Sequence, residues 1–134
     1  MTIQLSKDSI DLGIVTRNPG AMLEFYRDLI GFEFQGEMPM PGGGTMQRLL
    51  CGTSLIKLVT PGKLPDGDAA PGGFAGATGM RYWTISVSNL EEITQKCADA
   101  GVKIAVPLTD VRPGVRISIV EDPDGNWVEF LHNG

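Results

Sequence analysis

The chain is poor in the features that mark membrane, secreted and nucleic-acid-binding proteins. No apolar run approaches the roughly 18 residues of a membrane-spanning helix, and the opening MTIQLSKDS has no apolar stretch of signal-peptide length. Two cysteines, Cys51 and Cys97, are interpreted as free thiols, because a reducing compartment disfavours their pairing. Eleven Lys and Arg accompany sixteen Asp and Glu, and the resulting net charge of −5 repels phosphate backbones. The sequence therefore predicts a cytoplasmic protein whose partners include neither a membrane nor a nucleic acid.

The chain does have enough length for one folding unit and many loop-forming residues. Its 134 residues suffice for a single domain or for two small modules that share a core. The 18 Gly and 9 Pro predict prominent loops, and loops are where binding sites tend to lie.

Residues 9–60 follow the order strand, helix, strand, strand, strand. Asn18 and Pro19 are typical of a helix start, and the apolar spacing predicts a helix to residue 30 that Gly31 ends. The strands are predicted at residues 10–16, 32–35, 46–50 and 55–59, with a loop containing Met38, Pro39 and glycines 42–44 after the second.

Residues 81–132 repeat that order. An offset of about 70 residues aligns the first strand and helix of the two halves, which indicates a duplicated module. Asn89 followed by Glu92 predicts a capping box at the second helix. The elements are predicted at residues 82–87, 90–100 (helix), 103–106, 115–120 and 127–131.

A segment rich in Gly, Pro and Ala, residues 61–80, joins the two modules. A connection of this length in a small protein either carries the chain from one module to the next or folds over a pocket as a lid. Both interpretations remain open at this point.

Two motifs carry a resemblance to a known family. The first is LEFYRDLIGFE at residues 23–33, and the second is EDPDGNWVEF at residues 121–130. With these motifs the chain resembles the glyoxalase/bleomycin resistance protein/dioxygenase superfamily, also called the vicinal oxygen chelate superfamily. The resemblance implies an α+β fold, one domain over residues 1–134, in which two βαβββ modules form a curved mixed sheet around a cup. It also implies a small-molecule ligand and a homodimer.

Metal enzymes of that superfamily carry a His or Gln in the first strand of each module and a Glu in the last. The resemblance assigns these four positions to Asp11, Lys57, Tyr82 and Glu129. A protonated Lys has no lone pair for a cation, and a neutral Tyr is a poor ligand. We therefore expect no cofactor. A divalent metal, if one binds, would have Asp11 and Glu129 as its ligands.

The only histidine lies outside this set. His132 has the opposite strand parity to Glu129 and should face away from the cup. Nearby, Asp122 and Asp124 lack the closing Glu of a calcium loop and predict a turn. Arg48 and Arg116 lie on strands whose facing the pattern does not settle, and we expect solvent exposure for both rather than an anion-binding role.

Strand alternation predicts which side chains contact a ligand. Asp11, Thr84 and Trp127 fall on the faces expected to line the cup. Trp127 either packs within the protein or offers a surface on which a planar ligand can stack. A lining that is mostly apolar with a few polar groups suits a small organic molecule.

Lys57 is open to two interpretations. In one, its ammonium group neutralises Asp11 and Glu129 in a buried ion cluster. In the other, Lys57 or Glu129 is a general base and Tyr82 a proton donor, so that all three are catalytic residues.

Two functional hypotheses follow, and the fold alone does not choose between them. The first is a protein that binds a small organic molecule without the usual divalent metal, by sequestration or by acid-base chemistry. The alternative is a metal-dependent, glyoxalase-like lyase, isomerase or dioxygenase with an atypical metal site.

Overall fold

Two four-stranded sheets, each accompanied by one helix, make up most of the chain in a computed structural model that describes all 134 residues. The order strand, helix, strand, strand, strand is confirmed in both halves. The elements are β1 (Leu12–Val15), α1 (Pro19–Leu23) continued by a π-helical turn (Glu24–Leu29), β2 (Glu33–Pro39), β3 (Gly44–Cys51), β4 (Ser54–Pro61), a 3-10 turn (Gly73–Ala75), β5 (Tyr82–Ser86), α2 (Leu90–Asp99), β6 (Ile104–Arg112), β7 (Val115–Glu121) and β8 (Trp127–Asn133).

The chain divides into two compact units, Met1–Asp66 (unit 1) and Gly67–Gly134 (unit 2), whose boundary falls inside the segment predicted to join the modules. Unit 1 has the strand order β1-β4-β3-β2, and unit 2 has the equivalent order β5-β8-β7-β6. In each sheet the first strand runs parallel to the last, and the remaining pairs are antiparallel. Each module is therefore a mixed sheet, as the family resemblance implies.

The core of unit 1 lies between its helix and one face of its sheet. The helical segment buries Met22, Phe25 and Tyr26, and the facing strand β4 buries Ile56 and Leu58. Each such side chain contributes about 1.5–3 kcal/mol when it leaves water. The face of β4 that carries Lys57 is consequently the face away from α1.

The first helix differs from its prediction in winding rather than in extent. After Leu23 the backbone widens to a π-helix, and the amide of Ile30 donates to the carbonyl of Phe25 over 3.0 Å. This turn buries the adjacent rings of Phe25 and Tyr26, which meet edge to face with centroids 4.7 Å apart. Propensity alone does not signal such a local change of winding.

In unit 2, α2 covers the face of the sheet that carries Ser118, Val128 and Phe130. The Thr94 hydroxyl lies 2.7 Å from that of Ser118 and donates to the Leu90 carbonyl, so this buried polar pair is satisfied. The other face of β5 and β8 is left for Tyr82, Thr84, Trp127 and Glu129.

Two local predictions were wrong. Asn89 occupies the N-cap position, but its side chain makes no capping hydrogen bond, so the capping box with Glu92 does not form. Met38 and Pro39, predicted in a loop, belong to β2 and pair with β3. Because β2 is an edge strand, a proline without an N–H donor is tolerated there.

The predicted turn after β7 is confirmed. One carboxylate oxygen of Asp122 accepts hydrogen bonds of 2.9 Å from the amides of both Asp124 and Asn126. This turn sets the register that places Trp127 opposite Glu121 and Glu129 opposite Ile119. No helix of the chain has both the length and the apolar character needed to span a bilayer.

Candidate functional site

Three aromatic side chains of unit 2, Phe74, Tyr82 and Trp127, form what we call the aromatic cluster. Tyr82 and Trp127 are register partners on the parallel strands β5 and β8. The Phe74 ring is nearly perpendicular to both, with centroid distances of 6.1 Å to Tyr82 and 5.1 Å to Trp127. Phe74 is 60% exposed and Tyr82 is 50% exposed, so the cluster presents aromatic surface to solvent.

Hydrogen bonds to the backbone of the connecting segment hold Phe74 in the cluster. The guanidinium of Arg81 donates to the carbonyl oxygens of Ala70, Pro71 and Gly73, the last over 2.7 Å. Gly73 has a φ of 54°, and a Cβ built on it would lie 2.1 Å from the Trp127 indole. This part of the connecting segment is therefore packed against β8.

A hydrogen bond from the indole nitrogen also holds the Trp127 ring in place. Its indole N–H donates to a Glu121 carboxylate oxygen over 3.3 Å, and the Lys103 ammonium pairs with that carboxylate at 3.2 Å. The polar atom of the indole is therefore satisfied within the protein, and the partly buried ring keeps only part of its apolar surface exposed.

Beside the cluster lies a polar pair on the same face. Thr84 and Glu129 are register partners, two residues along their strands from Tyr82 and Trp127. The Thr84 hydroxyl donates to Glu129 Oε1 over 2.7 Å, and Oε2 has no hydrogen-bond partner within the protein. The structure thus brings four of the predicted site residues, Tyr82, Thr84, Trp127 and Glu129, onto one face of unit 2.

Asp11 of unit 1 has a different environment. Its carboxylate accepts from the Lys7 ammonium at 2.7 Å and from the Leu55 amide at 2.9 Å. These bonds, with the Lys7 charge and the more distant Lys57, hold the pKa of Asp11 below its usual range. Asp11 is paired with Lys7 rather than with Lys57, so this link of the proposed ion cluster is replaced by a local one.

Lys57 lies in the middle of the unit 1 sheet, with Gly13 of β1 on one side and Arg48 of β3 on the other. Arg48 therefore shares a face with Lys57, a relationship the sequence pattern left unsettled. Counting outward from the hairpin turn at Gly52 and Thr53 gives the same register, so the sequence did contain the information that pairs Arg48 with Lys57. Phe74 is an isolated aromatic in a glycine-rich segment, and no sequence pattern indicated that it belongs to the site.

The residues do not fit the divalent metal that the resemblance implies. No group of three or more His, Cys, Asp or Glu side chains is placed to hold a metal ion. Register shows why: Gly13 and Thr84, not Asp11 and Tyr82, lie opposite Lys57 and Glu129. Gly13 and Thr84 supply no metal-binding carboxylate or imidazole, and the ammonium group of Lys57 repels a cation.

His132 lies away from the aromatic cluster, as its strand parity predicts. Its Nδ1 lies 2.9 Å from the Val87 carbonyl oxygen, and its register partner Arg116 bonds to Glu91 of α2 at 2.6 Å. A cavity of about 390 Å³ near these residues is lined by Asp110, Val111, Arg112, Pro113, Gly114, Arg116, His132 and Gly134. Arg116 pairs there with the carboxylates of both Glu91 and Asp110.

Comparison with known proteins gives a consistent result. Residues 9–130 match the family described as the Glyoxalase/Bleomycin resistance protein/Dioxygenase superfamily. No curated protein is similar enough in sequence to match. Among solved structures, a glyoxalase family protein from Bacillus cereus is 17% identical, with a TM-score of 0.77 over 97% of this chain and 95% of that one.

Two further solved structures share the fold. A glyoxalase family protein from Enterococcus faecalis is 23% identical, with a TM-score of 0.66 over 96% of each chain. TnmS3, an antibiotic binding protein from Streptomyces sp. CB03234, is 16% identical, with a TM-score of 0.69 over 99% of this chain and 100% of that one. At these identities the likeness establishes the α+β fold of two βαβββ modules and nothing about the ligand.

Proposed function

Because the chain belongs to the glyoxalase/bleomycin resistance protein/dioxygenase superfamily, we propose that it binds a small, planar or partly apolar organic molecule on the aromatic cluster of unit 2. The observation that carries the proposal is the geometry of Phe74, Tyr82 and Trp127. Their rings meet edge to face at 5.1 and 6.1 Å while two of them keep half or more of their surface exposed. A ligand ring that covers this surface removes apolar area from water and gains aromatic contacts.

The Thr84–Glu129 pair supplies the polar part of this site. Glu129 Oε2 is available to a donor on the ligand, while Oε1 is oriented by the Thr84 hydroxyl. A few fixed polar groups beside an apolar surface are typical of small-molecule sites. TnmS3, which shares the fold, is itself described as binding an antibiotic, in keeping with a binding function.

We propose that binding needs no divalent metal, because the side chains of the protein supply no ligand set. Elemental analysis of protein purified without chelator is expected to find no stoichiometric transition metal. A metal present mole for mole with the chain, and lost in Glu129→Gln, would instead support the metal-dependent lyase, isomerase or dioxygenase hypothesis.

A neutral fluorescent probe, N-phenyl-1-naphthylamine, tests the binding proposal. The wild-type chain is expected to enhance its fluorescence in a saturable way. Loss of one aromatic contact, in Trp127→Leu or Phe74→Ala, should weaken binding by about tenfold or more. Phe34→Ala is a matched control, since Phe34 is an exposed aromatic of unit 1 at 40% exposure. An equal loss in the control, or no saturable binding, contradicts the proposal.

Acid-base chemistry is the second candidate, favoured by the unpartnered Oε2 of Glu129 on the same face as Tyr82. In that role Glu129 accepts a proton from the ligand and Tyr82 donates one to a ligand oxygen. The sequence assigned Lys57 to the same chemistry, and that assignment stays a prediction. Mass spectrometry of a ligand recovered after incubation separates the candidates: an unchanged ligand indicates sequestration, and conversion abolished by Glu129→Gln indicates catalysis.

We also propose that the protein is a homodimer, as the family resemblance implies. Sedimentation equilibrium is expected to give twice the 14.4 kDa chain mass. A single monomeric species at micromolar concentration would contradict this assembly.

A further inference from the structure

The sheet of unit 1 carries a row of four residues that differs from the rest of its surface. Reading across β1, β4, β3 and β2, the row is Gly13, Lys57, Arg48 and Gly36, each in register with the next. Two cations are thus cross-strand neighbours, with glycines outside them. Like charges placed directly opposite on paired strands are unfavourable by themselves, so the arrangement calls for a compensating group.

No such group is supplied within the protein. Neither Arg48 nor Lys57 makes a side-chain hydrogen bond or an ion pair. The charge of Lys57 helps to lower the pKa of Asp11, but the ion pair of Asp11 is with Lys7. Both cations are partly buried. The other lysines and arginines without such a partner, Lys63, Lys96 and Arg112, are exposed to solvent, where a charge needs no partner.

The surroundings of the pair leave room for a ligand. A Cβ built on Gly13 or Gly36 would meet no atom within 4 Å, so both ends of the row are open. On the same face, the next register pair in one direction is Met46 with Val59, and in the other direction it is Leu50 with Leu55. Two positive charges therefore lie between two apolar pairs.

We propose that this face of unit 1 binds the oxyanion group of an organic acid, a carboxylate or a phosphate monoester that carries an apolar body. The Arg48 guanidinium binds two oxygens of the anion through its planar fork, and the Lys57 ammonium binds from the adjacent strand. The apolar body lies on the Met46–Val59 pair or the Leu50–Leu55 pair. The site is built within unit 1 and does not depend on the aromatic cluster of unit 2.

Calorimetric titration at fixed ionic strength with octanoate, octyl phosphate and neutral 1-octanol tests the proposal. One or both anions are expected to bind the wild-type chain about tenfold or more tightly than 1-octanol does, and the tighter anion identifies the oxyanion. Binding of neither anion, or equal binding of 1-octanol, overturns the proposal.

The double variant Arg48→Gln/Lys57→Gln assigns the site. It should lose about tenfold or more in affinity for the anion, whereas Lys96→Gln/Arg112→Gln, which removes the same charge from exposed positions, should not. An equal loss in both variants indicates general charge attraction and overturns the assignment.

A measurement on the unmodified protein makes the test independent of how the variants fold. In NMR spectra the backbone amides of Gly13 and Gly36, at the two ends of the row, are expected to shift on titration with octanoate or octyl phosphate. Amides that stay unmoved while the anion binds elsewhere contradict the proposal. Loss of naphthylamine binding in Trp127→Leu reports on the aromatic cluster, and loss of anion binding in Arg48→Gln/Lys57→Gln reports on this face of unit 1. Failure of one site is therefore distinguishable from failure of the other.

Discussion

Gly73 lies so close to Trp127 that a methyl group on its Cα would come within 2.1 Å of the indole ring. Gly73 also has a φ of 54°, in the left-handed region that residues with a side chain avoid. The path of the connecting segment and the position of Trp127 are therefore coupled through one glycine, and Phe74 follows directly after it.

This coupling predicts that Gly73→Ala disturbs stability and binding together. The left-handed backbone alone costs an alanine about 1–2 kcal/mol, and the contact with the indole adds to that cost. Urea unfolding should show the loss, and the naphthylamine probe should bind more weakly because Phe74 is displaced. Gly67→Ala, in the same segment but with open space around its Cα, serves as the control. Equal behaviour of the two variants would show that the close approach has no consequence.

Asp11 is expected to titrate at a lower pH than an ordinary aspartate. Its hydrogen bonds from Lys7 and from the Leu55 amide lower its pKa. The stability it contributes is present above the unfolded pKa of about 3.9 and is lost as the pH falls through the folded pKa. An NMR titration of the side-chain carboxyl carbon should move towards the ordinary value in Lys7→Gln but not in Lys63→Gln. An unchanged titration in Lys7→Gln contradicts this account.

The facing cations of unit 1 predict a stabilising substitution. In Lys57→Gln the repulsion from Arg48 is removed, and the free energy of unfolding should rise by about 0.2–1 kcal/mol at low salt. The gain should shrink as added salt screens the wild-type pair. Lys96→Gln, at an exposed helix position, should show no such gain. A loss of stability in Lys57→Gln that persists at high salt would show that Lys57 has a partner.

We expect the buried thiol of Cys97 to make the protein less stable in alkaline solution. Burial raises the pKa of its thiol to about 11, whereas the unfolded thiol has a pKa of about 8.5. As the pH rises between these values the unfolded state releases the proton first, so the free energy of unfolding falls. Cys97→Ala should lack this dependence, and Cys51→Ala should keep most of it, since Cys51 is only partly buried. A wild-type stability that is flat across this range contradicts the prediction.

Much of the fold was predictable because it rests on local signals. Hydrophobic alternation placed Ile56 and Leu58 in the core and Lys57 on the opposite face, and the structure confirms this arrangement. The turn at Asp122 was likewise recognisable, since aspartate, proline and glycine have defined turn roles. The π-helical turn after Leu23 was not, because its winding depends on packing both Phe25 and Tyr26.

The candidate site was predictable only in part, for a related reason. Strand parity correctly grouped Tyr82, Thr84, Trp127 and Glu129 on one face. Predicting the face on which Arg48 lies required the register between its strand and the neighbouring strand. Phe74 required the path of a glycine-rich segment with no periodicity, which is fixed by Arg81 hydrogen bonds and by the space at Gly73. Side chains positioned by loops carry little signal in a single sequence.

A crystal structure of the protein with N-phenyl-1-naphthylamine tests whether the aromatic cluster is the ligand site. We expect electron density for the naphthalene ring in contact with Phe74, Tyr82 and Trp127. Density for the probe only in the cavity beside His132, or a bound probe that touches none of the three rings, would contradict it.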